Sequence, residues 1–367
     1  MPTHVDLRKL AEITAPERAF LSVYLAGPHS MAELKNRFQQ VRRVLKGGVA
    51  EDDEREQFEE NVKAVEEYLE RNPLKSGSLC IFSSWILNFF QAVPLSAPVK
   101  DVVRIDSSPY IRPLAEFEEE YENAAVVVAD NRKARIFLVS MAVAGSEDVV
   151  KGNVKNHVKK GGWSQQRYER RRDKQLQLYA RDIADALVKL EEEEDFRHIV
   201  LVGSKEILHI VHQNLPQALQ NKVAEKALDL GRGEGAVNED IMDLLLEEER
   251  LSERDLWERI RAEYLQHGLA VIGLHDVLSA AKEGRIEKMI VNRTFKPEGR
   301  RCRDCEHLDI GAVETCSACG SKSLFEVDVV NEIVEMLERS SAEADFTDPI
   351  QTLVDAGEIA ALLRYRV

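Results

Sequence analysis

The chain has 367 residues, 44% of them hydrophobic, with 50 Lys and Arg against 65 Asp and Glu for a formal net charge of −15. That length predicts two or three domains with enough apolar material for packed cores. No apolar run approaches the ~18 to 20 residues of a membrane span and the first residues lack a charged-then-apolar leader, so a cytoplasmic protein is expected, too acidic overall for indiscriminate nucleic-acid binding.

In chain order, Phe20-Leu21-Ser22-Val23-Tyr24-Leu25 is a short, mostly apolar run of strand type. Leu34, Phe38, Val41 and Leu45 then recur at helical spacing, and Phe58, Val62, Val65 and Leu69 do so after the polar link from Lys46 to Glu54. Asn72-Pro73 ends the second helix, because a residue before proline is biased away from the helical region. Leu79-Cys80-Ile81-Phe82 reads as the next strand, with Cys80 as a core thiol.

Two further strands, Ala125 to Asp130 and Ala134 to Val139, flank the turn Asn131-Arg132-Lys133. Between Lys151 and Lys174 the character changes. Nine Lys or Arg stand against only Glu169 and Asp173, a local charge of +7 in a chain whose remainder carries −22. A solvated face is the usual meaning of a charge run. This one surrounds Gly161-Gly162, where two missing side chains let the backbone take φ > 0 and approach a partner closely. The combination suggests a loop that enters a polyanion. A helix follows from about Gln165 towards Leu190, with Leu176, Tyr179, Ile183, Ala186 and Leu190 on one face. The acidic run Glu191 to Asp195 is expected to end it as solvated surface, before the buried strand His198 to Gly203 and another helix.

Leu269 to Leu274 leads into a helix at about His275 to Glu283, and Lys288 to Val291 is a further strand. Then come Cys302-x2-Cys305 and, ten residues on, Cys316-x2-Cys319-Gly320. Two such knuckles supply the four thiolates of a closed, tetrahedral Zn²⁺ site, a structural rather than a catalytic one. Two disulfides are the alternative, but nothing in the sequence indicates export to an oxidising compartment. His307 is close by, although four cysteines already fill the shell.

The stretch Gly161-Gly162-Trp163-Ser164-Gln165-Gln166-Arg167-Tyr168-Glu169-Arg170 resembles the Gly-Gly-Gln loop and following helix of archaeo-eukaryotic class I release factors, which share a superfamily with Pelota. In those release factors the loop tip enters the peptidyl transferase centre of the ribosome. Here Trp163 follows the glycines where the family has glutamine. The spacing Gly162-x-x-Gln165 resembles the variant loop of the tRNA-hydrolase quality-control branch and of some bacterial members. The resemblance implies an α/β chain of three domains. Residues 1–120 would be an N-terminal domain like the one that reads the A site. Residues 121–267 would be a ribonuclease-H-like middle domain carrying the loop at 151–174. Residues 268–367 would be an α/β C-terminal domain of the type that docks a translational GTPase, with a zinc ribbon at 300–322. Its last stretch, Gly357 to Tyr365, resembles the family's ending. Both decoding elements are absent. Lys46-Gly47-Gly48-Val49-Ala50-Glu51 has no Asn-Ile-Lys-Ser, and Val103-Arg104-Ile105-Asp106 stands where Tyr-x-Cys-Asp would fall.

The resemblance and the residues together give two candidate functions. In the first, Gly161 and Gly162 allow close approach, and Gln165 orients water or offers a backbone N–H to a developing oxyanion, hydrolysing peptidyl-tRNA without a codon. Lys159, Lys160, Arg167, Arg170 and Arg171 would hold rRNA or P-site tRNA phosphates, and Trp163 would stack on a base. In the second, the chain occupies the A site without hydrolysis, as Pelota and Balon-like hibernation factors do. No Ser-His-Asp set or Walker loop is present, so any hydrolysis would depend on the ribosome.

Overall fold

The apolar run Phe20–Leu25 forms a strand covered on both faces, which is why it lacks the polar alternation of a half-exposed strand. The computed structural model describes residues 5–15, 18–47, 52–75, 77–95, 99–120, 124–129, 133–140, 143–151, 163–193, 196, 198–226 and 234–366. The chain divides into two units, one made of Met1–Glu120 with Glu253–Val367 and the other of Tyr121–Ser252.

The first unit begins with α1 (Leu7–Ala11), capped by the Asp6 carboxylate, which accepts from the Lys9 N–H at 3.1 Å. There follow β1 (Phe20–Leu25), α2 (Ser30–Gly47), α3 (Asp52–Arg71), β2 (Ser78–Ser84), β3 (Phe89–Leu95), β4 (Val102–Asp106) and α4 (Arg112–Glu120). The strands make an antiparallel sheet in the order β3-β2-β1-β4. Leu21, Val23 and Leu25 of β1 meet Leu34, Phe38 and Leu45 of α2 and Phe58, Val62, Val65 and Leu69 of α3, the helical spacings read from the sequence. Arg42 joins the two helices through paired 2.7 Å hydrogen bonds to Glu59. The other face of the sheet carries Tyr24, Cys80 and Phe82 into a second core. Burial pushes the Cys80 thiol well above its ordinary pKa.

In the second unit β5 (Ala124–Ala129), β6 (Lys133–Ser140) and β7 (Val143–Lys151) form an antiparallel meander. After α5 (Trp163–Glu193), β8 (His198–Gly203) pairs parallel to β5. Helices α6 (Lys205–Asn214) and α7 (Gln217–Gln220) lead to β9 (Val223–Lys226), parallel to β8. The order β7-β6-β5-β8-β9 is the ribonuclease-H-like layout the resemblance implied. The sequence reading missed β7, because its centre, Ala144-Gly145-Ser146-Glu147-Asp148, has no apolar alternation. Helix α5 also runs on through Glu193 instead of stopping at Leu190. Glu191 there is no freely solvated acid: it accepts from Lys222 Nζ at 2.6 Å. The buried stripe of α5 is Leu176, Tyr179, Ala180, Ile183, Ala184 and Leu187, with Ala186 and Leu190 at its edge.

Helix α8 (Glu234–Leu265) crosses into the first unit at Glu253. Next come β10 (Ala270–Ile272), α9 (Leu274–Lys282), β11 (Ile286–Asn292), β12 (Glu298–Cys302), β13 (Leu308–Ile310), β14 (Leu324–Asp328), α10 (Val329–Ser340), β15 (Glu343–Thr347), α11 (Gln351–Asp355) and β16 (Ile359–Leu363). They form a mixed sheet β10-β16-β11-β15 and a three-stranded ribbon β13-β12-β14. Met289 and Val291, with Ile359, Ala361 and Leu363, face the core that also takes Tyr24 and Phe82. Ile290, Ala360 and Leu362 face the opposite way, against Leu256, Trp257 and Ile260 of α8. By this packing Glu253 to Leu265 of α8 lie with the first unit. Among the described residues no helix is long and apolar enough to cross a membrane.

Beside the apolar core that the two sheets of the first unit share lies a buried polar seam. Arg112 Nε donates to Glu116 at 2.8 Å, Nη1 to the Phe295 carbonyl at 2.9 Å and to Asp328, and Nη2 to the Arg293 carbonyl at 3.1 Å. Asp328 also caps α10 and accepts from the Tyr110 hydroxyl at 2.8 Å. Beside it, Glu335 accepts from Ser108 and Asn331 at 2.7 Å each, and Glu332 pairs with Arg301. Burial drives both carboxyls upward, Glu332 to about 7, with Arg301 pulling against it.

Candidate functional site

The two cysteine knuckles converge as their spacing required. Cys302 leaves the end of β12 and Cys305 follows in a tight turn, while Cys316 and Cys319 sit in the second turn before β14. The knuckles are built alike. In the first, the Glu306 N–H donates to the Cys302 carbonyl at 2.9 Å, and Glu306 has φ 59°. In the second, the Gly320 N–H donates to the Cys316 carbonyl at 2.9 Å, and Gly320 has φ 76°. Each turn needs a left-handed residue just after its second cysteine, and only one of the two is glycine.

The four sulfur atoms lie within 4.8 Å of one another, with Cys302 and Cys319 at 3.5 Å and Cys305 and Cys316 at 3.6 Å. These separations are far beyond the ~2.05 Å of a disulfide, so the thiols are free. A tetrahedron with Zn–S bonds of about 2.3 Å has sulfurs roughly 3.8 Å apart, so the cluster fits a four-thiolate metal site. His307 is turned to a supporting role: its Nε2 lies 3.1 Å from Ser317 Oγ and 3.5 Å from Asp309. Asp309 in turn accepts from the Ser317 N–H at 3.1 Å and steadies the second knuckle.

The residue inside the first knuckle, Arg303, reaches across to the amino-terminal helix hairpin. Its guanidinium pairs with Glu54, in the first turn of α3, and lies 5.2 Å from the Phe325 ring centroid. Arg18 forks onto the same carboxylate, at 2.8 Å through Nη2 and 3.3 Å through Nε. Glu54 is fully buried; burial opposes its ionisation, and the two guanidiniums hold its pKa below the ordinary value. Sequence reasoning missed this contact, since nothing local marks a pair separated by 249 residues.

Of the loop residues, Lys159, Lys160, Gly161 and Gly162 lie outside the described residues. Trp163 is the first residue of α5, and Gln165, Arg167, Arg170 and Arg171 fall in its first three turns, with Arg170 exposed. The loop therefore joins the end of β7, an edge strand, to the start of a 31-residue helix. Arg172, counted among the basic residues of the run, is turned inward. Its guanidinium forks onto Glu206 of α6 at 2.9 and 2.5 Å and anchors the root of α5. The signal was available: Arg172 precedes Leu176 by one turn on the stripe that continues through Tyr179 and Ile183.

The segment in place of the second decoding element lies in β4 and points partly inward. Asp106 is buried, bonded to Arg104 at 3.3 Å, and the Arg104 guanidinium stacks 4.8 Å from the Tyr110 ring centroid. Gly48 to Glu51 of the hairpin tip fall outside the described residues.

Residues 109–250 match the profile of bacterial archaeo-eukaryotic release factor family 10, a span that takes in nearly all of the second unit. The chain is 25% identical over 305 residues to peptide chain release factor subunit 1 of Methanocaldococcus jannaschii, covering 74% of this chain and 72% of that protein. The Thermococcus kodakarensis protein of the same name is 25% identical over 300 residues, 72% of this chain and 71% of its own. Among solved structures, Saccharomyces cerevisiae Dom34, a translation termination-like factor involved in RNA quality control, aligns over 82% of this chain and 77% of its own, with 12% identity and a TM-score of 0.44.

Proposed function

The chain belongs to the archaeo-eukaryotic release factor and Pelota superfamily, as a member of bacterial type, and from that premise we propose that it is a translation factor acting on the ribosome. It enters the A site without reading a stop codon and promotes hydrolysis of peptidyl-tRNA. On this reading residues 1–120 face the decoding site, 121–267 carry the loop towards the peptidyl transferase centre, and 268–367 offer a docking face to a translational GTPase.

The observation that carries the reading is the basic stretch 151–174. It holds Gly161-Gly162 and Gln165, and it is mounted between β7 and a helix whose root is locked by Arg172 on Glu206. The helix gives the tip reach, since the residues from Trp163 to Arg171, at about 1.5 Å each, extend ~14 Å ahead of that anchor. A glutamine amide has no basic nitrogen at pH 7, so Gln165 positions water or donates a hydrogen bond, and the ribosome supplies the remaining groups. Lys159, Lys160, Arg167, Arg170 and Arg171 neutralise rRNA and P-site tRNA phosphates. The knuckle cysteines Cys302, Cys305, Cys316 and Cys319 hold zinc in a closed site that folds the ribbon and takes no part in the reaction.

Trp163 supports a second reading. An indole directly after the glycines suits stacking on a base, and then the chain occupies the A site without hydrolysis. One experiment separates the two: release rate and ribosome affinity measured together for wild type, Gln165→Ala and Trp163→Ala. Hydrolysis predicts that Gln165→Ala keeps its affinity and loses about 10²- to 10³-fold in rate, the usual effect of deleting a positioned transition-state contact. Tight binding by wild type with no release on any stalled or idle ribosome overturns hydrolysis in favour of occupancy.

A further inference from the structure

We propose that Arg303 and Glu54 are positioning residues that tie the four-cysteine centre to the amino-terminal helix hairpin, so that metal occupancy of the ribbon sets the placement of the start of α3. The inference rests on the zinc reading of the cysteines.

Arg303 lies between two of the ligands, Cys302 and Cys305, in the turn of the first knuckle. Its N–H donates to the Ser323 carbonyl at 2.9 Å, tying the first knuckle to the strand that leaves the second. With a metal in place, neither end of the Cys302–Cys305 turn can move, and the guanidinium is delivered to one position. Its target is specific. The Glu54 side chain has no exposed surface, that of Arg303 is 7% exposed, and Arg18 completes the cluster by donating to both carboxylate oxygens. The Phe325 ring of β14 packs beneath both guanidiniums, at 5.2 Å from Arg303 and 6.0 Å from Arg18, and keeps water away from the pair. Glu54 belongs to the first turn of α3, immediately after the hairpin tip in sequence. Without the metal the turn loses its two fixed points. Arg303 is then free to leave, and Glu54 remains buried with half of its partners, a state costly enough to loosen the helix start.

Coupling of this kind is reciprocal: if metal favours docking of Arg303 on Glu54, docking favours retention of metal by the same factor. Glu54 ligates nothing and lies far from the cysteines in sequence, so Glu54→Gln tests the coupling without touching the centre. The measurement is the rate at which zinc leaves the full-length protein for an excess of chelating dye, with zinc content first fixed by elemental analysis. Zinc loss about tenfold faster in Glu54→Gln is expected. Hydrogen exchange of wild type supplies a second reading independent of any variant. Removal of zinc should speed exchange in the first turns of α3 and leave α5 unchanged. Zinc loss from Glu54→Gln at the wild-type rate, or α3 exchange indifferent to zinc, overturns the tie and leaves the metal reading standing. Wild type that retains no stoichiometric zinc overturns both.

Discussion

Replacing Arg112 by methionine tests the polar seam of the first unit most directly. The side chain is 2% exposed and makes hydrogen bonds to two carboxylates and two backbone carbonyls, so methionine preserves much of the volume and removes every one of them. Glu116 retains some access to water, but the Phe295 and Arg293 carbonyls and the Asp328 carboxylate lose their buried donor. Asp328 keeps the Tyr110 hydroxyl and the Val330 N–H, which moderates the loss. Breaking a buried pair by removing one partner costs about 3 to 5 kcal/mol, and that range is expected here. Lysine restores a charge near Asp328 but not the planar fork onto two carbonyls, so Arg112→Lys should recover only part of it, leaving a deficit of roughly 1 to 3 kcal/mol. Urea unfolding followed by hydrogen exchange measures both variants against an internal control, since amides of α5 belong to the other unit and should not respond. An Arg112→Met protein within about 1 kcal/mol of wild type would refute the idea that this seam joins the two sheets into one cooperative unit.

Three further outcomes follow from other sites. Glu332 is raised from 4.5 to about 7, so the folded state holds its proton more tightly than the unfolded chain does. The associated stability is full below pH 4.5 and is lost as pH rises through 7, by ~3 kcal/mol at ~1.4 kcal/mol per pKa unit. Glu118, raised to about 8 by burial beside Glu338 and Asp6, acts in the same direction. Unfolding measured between pH 5 and 8 should therefore show falling stability, with a shallower slope in Glu332→Gln; a rise across that window contradicts the assignment. At the first knuckle, Glu306→Gly relieves a left-handed conformation and should gain up to ~1 kcal/mol of ribbon stability, whereas Gly320→Ala should lose at least as much, both read from chelator-induced unfolding. Lastly, ribosome binding should be the same with stop, sense or empty A-site codons. A preference for stop codons of about tenfold, or ~1.4 kcal/mol, would mean that other residues replace the missing decoding elements.

What the sequence disclosed follows from how local each signal is. The α2 and α3 stripes, the β1 and β2 runs and the cysteine pairs were legible because their periodicity or spacing lies within a few residues, and the structure places Leu34, Phe38, Phe58, Val62 and the four sulfurs accordingly. The strand β7 was not, since pairing to β6 supplies what its own polar centre lacks. Arg172 entered the sequence reading only as one charge of the basic run, because charge was counted along the chain; its helical phase points into the stripe. Glu191 was assigned to solvent because its partner, Lys222, is on a later segment.

The same reasoning explains why the polar interior of the first unit had no sequence signature at all. Arg112 with Asp328, Ser108 with Glu335 and Arg303 with Glu54 are separated by more than two hundred residues each. Each pair is a charged or hydroxyl side chain that composition would assign to the surface. Their burial is permitted because the amino-terminal sheet and the carboxyl-terminal elements cover one another, and that packing is a property of the tertiary fold. Buried ionic pairs add little net stability compared with apolar packing, but a mispaired one is costly, so a seam of this composition discriminates among arrangements. A purely apolar face between the two sheets would tolerate sliding. The fork of Arg112 onto two particular carbonyls and one carboxylate tolerates very little, and it fixes the start of α4 against the link between β11 and β12 and the end of β14 to within a hydrogen bond's length.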